Sequence, residues 1–281
     1  EFWHPDSGRM EPCAVWREAD GRTEVPLHFD PAGSVFVVFR TPAKSDHLVA
    51  VQAGGASPES FEIGAQELLT RAPGRFTLTY ASGRATTLDV TEAARPMELS
   101  GPWQLSFPPK WGAPAEITLD KLISWTRHAD PGVKYFSGTA TYRKQFQYKK
   151  DTRNGKIELD LGALKNLAEV RLNGKNLGVL WKPPFRVDVT HAIRSGSNDL
   201  EVRVTNLWVN RLIGDEQLPE DRQWDGLSLK AWPQWLLDGK PSPTGRFTFT
   251  TWHHWNKGDQ PLESGLLGPV ILQTIQKNSL P

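Results

Sequence analysis

Apolar residues in this chain recur with a period of two and almost never with the period of an α-helix, which confines it to a β architecture. Phe76, Leu78 and Tyr80 alternate with polar residues, and so do Leu88 and Val90. Further on, Ala140, Tyr142, Phe146 and Tyr148 share one face. They are followed by Ile157, Leu159 and Leu161, by Ala168, Val170 and Leu172, by Val187 and Val189, and by Leu200, Val202 and Val204. The turn chemistry agrees. Asn154-Gly155 and Asn173-Gly174 suit two-residue type I′ hairpins, whose central residues both take positive φ. Val35 to Phe39 is a continuous apolar run, which predicts a strand buried on both faces. Val270 to Ile275 predicts a closing strand. Short strands at regular spacing predict sandwiches or jelly rolls.

The segment from Arg95-Pro96 to Gly101-Pro102 interrupts this pattern. It divides the chain into a small β-sandwich accessory domain, residues 1–97, and a larger β-sandwich domain, residues 98–281. In the second, alternation fails between about Asn206 and Pro243, and Phe247 and Phe249 predict its return. The interruption is polar, long and rich in Pro and Trp. Of twelve tryptophans, five (Trp224, Trp232, Trp235, Trp252 and Trp255) fall in or just beyond it. Long irregular loops in compact domains are either functional or disordered, and this aromatic content argues for the first.

Charge and composition exclude several functions. A net charge of +1 favours neither nucleic acid nor an acidic membrane surface. No apolar run reaches the ~20 residues of a membrane helix. Cys13 is the single cysteine, so neither an internal disulfide nor a multi-cysteine metal site is available. The chain opens at Glu1-Phe2-Trp3, in what reads as structure, and is expected to be a piece of something longer.

From Tyr135 the sequence resembles a known family. "YFSGTATYRKQF" (Tyr135 to Phe146) and "LDLGALKNLAEVRLNGKNLGVLWKPPFRVDVTHAIRSGSNDLEVRVTNLW" (Leu159 to Trp208) resemble the sugar-binding, galactose-binding-like domain of family 2 glycoside hydrolases. "NRLIGDEQLPED" (Asn210 to Asp221) and "SGLLGPVILQ" (Ser264 to Gln273) resemble the C-terminal region of family 106 enzymes, the α-L-rhamnosidases. "FWHPDSGRMEP" and "GSVFVVFR" (Phe2 to Pro12, Gly33 to Arg40) are similar to the segment preceding that domain. The resemblance implies two β-sandwich domains, the second a galactose-binding-like jelly roll with a Trp-rich insertion. It also implies a catalytic α/β barrel N-terminal to them. No βα alternation occurs here, so the barrel is missing and no catalytic residue is carried over. The resemblance further implies a secreted or periplasmic bacterial protein. Jelly rolls of this kind often hold a structural calcium, but no loop with the required acidic spacing is present.

Each chemistry-bearing residue also admits a simpler structural role. Glycoside hydrolysis needs two carboxylates. Asp215, Glu216, Glu220, Asp221, Asp225, Asp259 and Glu263 lie in the irregular region, where such groups are ordinarily solvated. No Gly-x-Ser-x-Gly elbow exists, and Ser264 to Gly268 has the wrong spacing for one. His253-His254 on a strand would face opposite ways, which disfavours a two-His metal site. The tryptophans are the informative group. A flat indole covers the apolar face of a sugar while polar neighbours take its hydroxyls. Trp224, Trp232, Trp235, Trp252 and Trp255 are therefore the candidate platforms for an oligo- or polysaccharide, with Trp181 as a sixth. Trp103, Trp125 and Trp208 are expected in the core. The alternatives to a binding module are a purely structural scaffold for the missing barrel and an enzyme in its own right.

Overall fold

The computed structural model describes residues 1–40, 42, 46–54, 60–64, 66–91, 95–149 and 155–280. Strands dominate, and the described helices are short. The larger part of the chain is a sandwich of two sheets. The front sheet runs, in spatial order, Glu116–Leu119, Trp103–Ser106, Thr139–Tyr148, Gly196–Thr205, Leu167–Leu172 and Lys175–Leu180. The back sheet runs Arg186–Asp188, Gly155–Asp160, Ile271–Ser279, Glu67–Thr70 and Phe61–Ile63, with Met97–Glu98 also paired to Ile271–Ser279. All of these pairings are antiparallel.

Alternation decides which side of each strand faces inward. Ala140, Tyr142, Val170, Leu172, Leu200, Val202 and Val204 are buried on the front sheet, against Ile157, Leu159 and Leu272 on the back. Trp103 and Trp125 lie in the same core, as expected. Burying an indole leaves its N–H in need of an acceptor. Trp125 Nε1 donates to Tyr142 Oη at 2.6 Å, and that oxygen also accepts from the Leu266 backbone N–H at 3.0 Å. Gly265 passes over this pair at φ +98°, where a Cβ would sit 2.6 Å from both atoms, so only glycine fits.

The N-terminal residues do not end at their own sheets. Gly74–Tyr80 is flanked by Leu48–Gly54 and Ala85–Val90, and buries Phe76, Leu78 and Tyr80 as the alternation predicts. Glu67–Thr70 instead joins the C-terminal end of Ile271–Ser279. The expected boundary at residue 97 thus falls in a strand, Met97–Glu98, that pairs with the same long strand.

Three expectations need correction. Val35 to Phe39 is not a doubly buried strand. Only Phe36–Val37 is extended, at the edge of a three-stranded sheet with Phe2–Trp3 and Met10–Glu11, and Phe36 and Phe39 are 61% and 77% exposed. Phe247 and Phe249 are not in a strand. The stretch from Asn206 to Pro243 is less irregular than expected. It holds a helix, Val209–Asp215, a hairpin, Gln223–Asp225 with Ser228–Ala231, and a helical turn, Gln234–Leu237.

Of the two proposed hairpin turns, Asn154 lies outside the described residues, and Gly155 already pairs with Gln276 without a positive φ. Asn173-Gly174 is the expected turn. It joins Leu167–Leu172 to Lys175–Leu180, with φ of +52° and +80°. A Cβ on Gly174 would meet nothing within 4 Å, so any cost of substitution there is conformational. Gly174→Val is expected to lower stability by about 1–2 kcal/mol, the cost of a left-handed residue with a Cβ. Gly174→Asn should cost less. Chemical denaturation of both variants checks this.

Candidate functional site

The Trp-rich segment leaves the front sheet after Gly196–Thr205 and is fastened where it departs and returns. Asn206 donates to Phe136 O and Ser264 Oγ and accepts from the Gly138 N–H. Asn210 donates to Leu262 O and accepts from Leu262 N–H, both at 2.8 Å. Between these anchors the helix Val209–Asp215 sets Arg211 and Asp215 four residues apart on one face, with Nε and Oδ1 at 3.4 Å. Asp215 Oδ2 then accepts from the N–H groups of Phe247 and Thr248, at 3.0 and 2.7 Å, and from Thr248 Oγ1 at 2.7 Å.

Beneath the tryptophans lies a network of buried charge. Arg222 and Arg246 leave only 3% and 2% of their side chains accessible. Both reach Glu216 Oε1, at 3.3 and 2.8 Å. Arg246 also donates to the carbonyls of Pro219 and Leu218. Arg222 pairs with Glu220 at 3.0 Å and with Asp221 at 3.4 Å, and Asp221 accepts from Ser242 Oγ at 2.5 Å. Burial would raise the Glu220 carboxyl, but hydrogen bonds from the Trp224 indole and the Arg222 guanidinium, with the charge of Arg222, bring it down to about 2. Asp215, Glu216 and Asp221 are therefore not the solvated carboxylates the sequence suggested, while Glu220 stays exposed as expected but is also paired to Arg222. They neutralise arginines, which buried guanidinium groups require.

His253 Nε2 lies 3.2 Å from Glu216 Oε2, and Glu216, Glu220 and His253 bring possible ligand atoms within 4.8 Å of one another. This set does not suit a metal ion. Its two carboxylates are already engaged, Glu216 by Arg222 and Arg246 and Glu220 by Arg222 and the Trp224 indole, so a cation would have to displace those donors. His254 is exposed and packs between Trp252 and Trp255, with ring centroids at 4.9 and 4.8 Å.

The five tryptophans of the segment differ in their partners and in their exposure. Trp224 stacks on His253 at 4.9 Å and donates to Glu220 Oε2 at 2.9 Å. Trp235 donates to Asp221 O at 3.3 Å and meets Phe249 edge-on, while Trp232 stacks on the same Phe249 at 5.6 Å. Residues 251–253 run alongside the Ser228–Ala231 strand, which sets Trp252 opposite Ser228. Trp224, Trp235 and Trp255 are half-buried. Trp232 and Trp252 are more than half exposed. Trp181, also exposed, lies apart at the end of the edge strand Lys175–Leu180.

Trp208 is a correction. It is 56% exposed rather than in the core, and leans on Trp111 at 5.8 Å. Trp111, Arg222 and Arg246 were not singled out by sequence. The Asp215-Glu216 and Glu220-Asp221 pairs, flanked by Arg211, Arg222 and Arg246, were the available signal.

Comparison with known proteins places these features. Residues 126–242 match the family described as the glycosyl hydrolase 2 galactose-binding domain-like family. A protein of Formosa agariphila named "Putative beta-glucuronidase" is 45% identical over 219 residues, covering 77% of this chain and 19% of that protein. A rhamnosidase structure from Novosphingobium sp. PP1Y is 28% identical with a TM-score of 0.53, covering 80% of this chain and 25% of that one. The chain therefore spans about a fifth to a quarter of the length of these relatives.

Two measurements check the network. Arg246→Met leaves Glu216 with less compensation and two carbonyls without donors, and is expected to cost about 3–5 kcal/mol in chemical denaturation. Because the folded Glu220 titrates below its unfolded value, its contribution to stability is present above about pH 4.5 and is lost as pH falls toward 2. Denaturation between pH 5 and 2 should show a shallower loss in Glu220→Gln than in the parent.

Proposed function

We propose that this chain is a non-catalytic, carbohydrate-binding accessory region of a glycoside hydrolase, with its sugar contact on the Trp-rich segment. The observation that carries this reading is the engagement of the segment's inner carboxylates. Glycoside hydrolysis requires one group free to give a proton and another free to attack or activate water. Asp215, Glu216, Glu220 and Asp221 are instead held by guanidiniums, backbone N–H groups and hydroxyls. The catalytic carboxylates would then lie on a barrel elsewhere in the parent protein, which an exporting bacterium would place in its periplasm or medium.

The activity of that parent is open to either of two sugars. An α-L-rhamnosidase of family 106 fits the motifs and the Novosphingobium rhamnosidase, and a β-glucuronidase fits the name of the Formosa protein. One β region shared by proteins with such different names suits a part that does not choose which bond is cut. Among the candidate platforms, Trp232, Trp252 and Trp181 have open faces for a sugar ring. Trp224 and Trp235 are tied to Glu220 and Asp221 through their indole N–H groups, which favours a structural role for those two.

Two experiments test this reading together. The chain, incubated with aryl rhamnosides, galactosides and glucuronides, is expected to release no phenol. Turnover abolished by Asp215→Asn or Glu263→Gln would refute it. In calorimetric titration with rhamnose- and glucuronate-containing oligosaccharides, Trp232→Ala or Trp252→Ala should weaken binding by on the order of 1 kcal/mol with melting temperature unchanged. Trp235→Ala should lower the melting temperature instead. Failure of every oligosaccharide to bind would leave scaffolding as the role.

A further inference from the structure

The outer face of the front sheet carries a hollow that the Trp-rich segment does not explain. Thr139, Thr141 and Arg203 lie on this face, since their neighbours Ala140, Tyr142, Val202 and Val204 point into the core. Thr141 sits directly between Ser106 and Arg203 on the adjoining strands. They line a hollow of about 480 Å³ together with Trp111 and Trp208. That volume is in the range of small-molecule sites. Trp111 is braced by Phe247, stacked at 6.4 Å and 22°, and Trp208 leans against Trp111 at 57°, keeping more than half its surface in water.

Two observations identify the kind of ligand. An open indole beside hydroxyls matches a sugar, which is apolar on one face and hydroxylated around its rim. The charge is also unbalanced. Glu169 accepts from Arg171 at 2.8 Å and from Arg203 at 2.8 Å, Glu201 stands opposite Arg171 and pairs with Arg143 at 3.2 Å, and these five groups, three basic and two acidic, sum to +1. Among the described residues Arg203 is bonded only through Nη1, and its other donors remain for an anion. A guanidinium fork pairs well with a carboxylate or a sulfate.

We infer that this hollow is a second carbohydrate site, in which a negatively charged sugar residue stacks on Trp208 and places its anionic group on Arg203. Its ligand class follows from the glycan-binding reading, but its residues lie outside the tryptophans proposed above, so each can fail alone. Isothermal titration of the full chain would use three probes: a tetragalacturonate, a sulfated carrageenan tetrasaccharide and neutral cellotetraose. The inference expects at least one acidic probe to bind better than the neutral one. Trp208→Ala should weaken that binding tenfold or more with unchanged melting temperature, because the ring is largely exposed. Arg203→Gln should remove the preference for the acidic probe, and Arg203→Lys should retain part of it. Binding of both acidic probes would indicate selection by charge, and binding of the uronate alone selection by carboxylate geometry. No binding at millimolar probe, equal binding of cellotetraose, or loss through Trp232→Ala but not Trp208→Ala would overturn it.

Discussion

Two guanidiniums almost entirely removed from water, those of Arg222 and Arg246, set the terms for the Trp-rich part of the structure. A buried charge is tolerated only when it is paired and its hydrogen bonds are met. Glu216 receives both arginines, Glu220 and Asp221 share Arg222, and the Leu218 and Pro219 carbonyls complete Arg246. These partners all lie in residues 216–221, and Arg246 reaches them from the other limb, so the network joins stretches up to thirty residues apart. The aromatic rings rest on this base: Trp224 through Glu220 and His253, Trp235 through Asp221.

The same network links the segment to the sandwich. Asp215 ends the helix that follows Gly196–Thr205 and gathers the N–H groups of Phe247 and Thr248. Phe247 in turn braces Trp111, which lines the front-sheet hollow. One chain of contacts thus runs from buried charge to an aromatic wall on the outer face. Trp232 and Trp252 are not among the residues that line the hollow.

Much of the sandwich was legible in the sequence because its signals are local. Period-two alternation placed Tyr142, Val170 and Val202 inward, and Asn173-Gly174 specified a turn that only two left-handed residues can make. The failures concern residues whose place is set by distant partners. Val35 to Phe39 has the composition of a buried strand, yet only Phe36–Val37 pairs, at an exposed edge. Trp208 follows a core strand directly and looks like core, but the chain turns into a helix there and leaves its ring outside. The acidic residues of the segment looked solvated because their arginine partners lie up to thirty residues away. Local spacing does not report the Arg246 pairing, whereas Arg211 and Arg222 lie within six residues of their partners. Composition marks the tryptophans as a group, and the structure divides them between half-buried and open rings.

The central claim is that buried ion pairing, rather than regular strand structure, holds the Trp-rich segment in one conformation. Hydrogen exchange at the Thr248 amide, which donates to Asp215 Oδ2 at 2.7 Å outside any strand, tests it directly. The account predicts exchange as slow as that of core amides such as Val202, since opening would expose the charges of the network. Exchange at the rate of an unprotected loop amide, with the sandwich amides still protected, would contradict it.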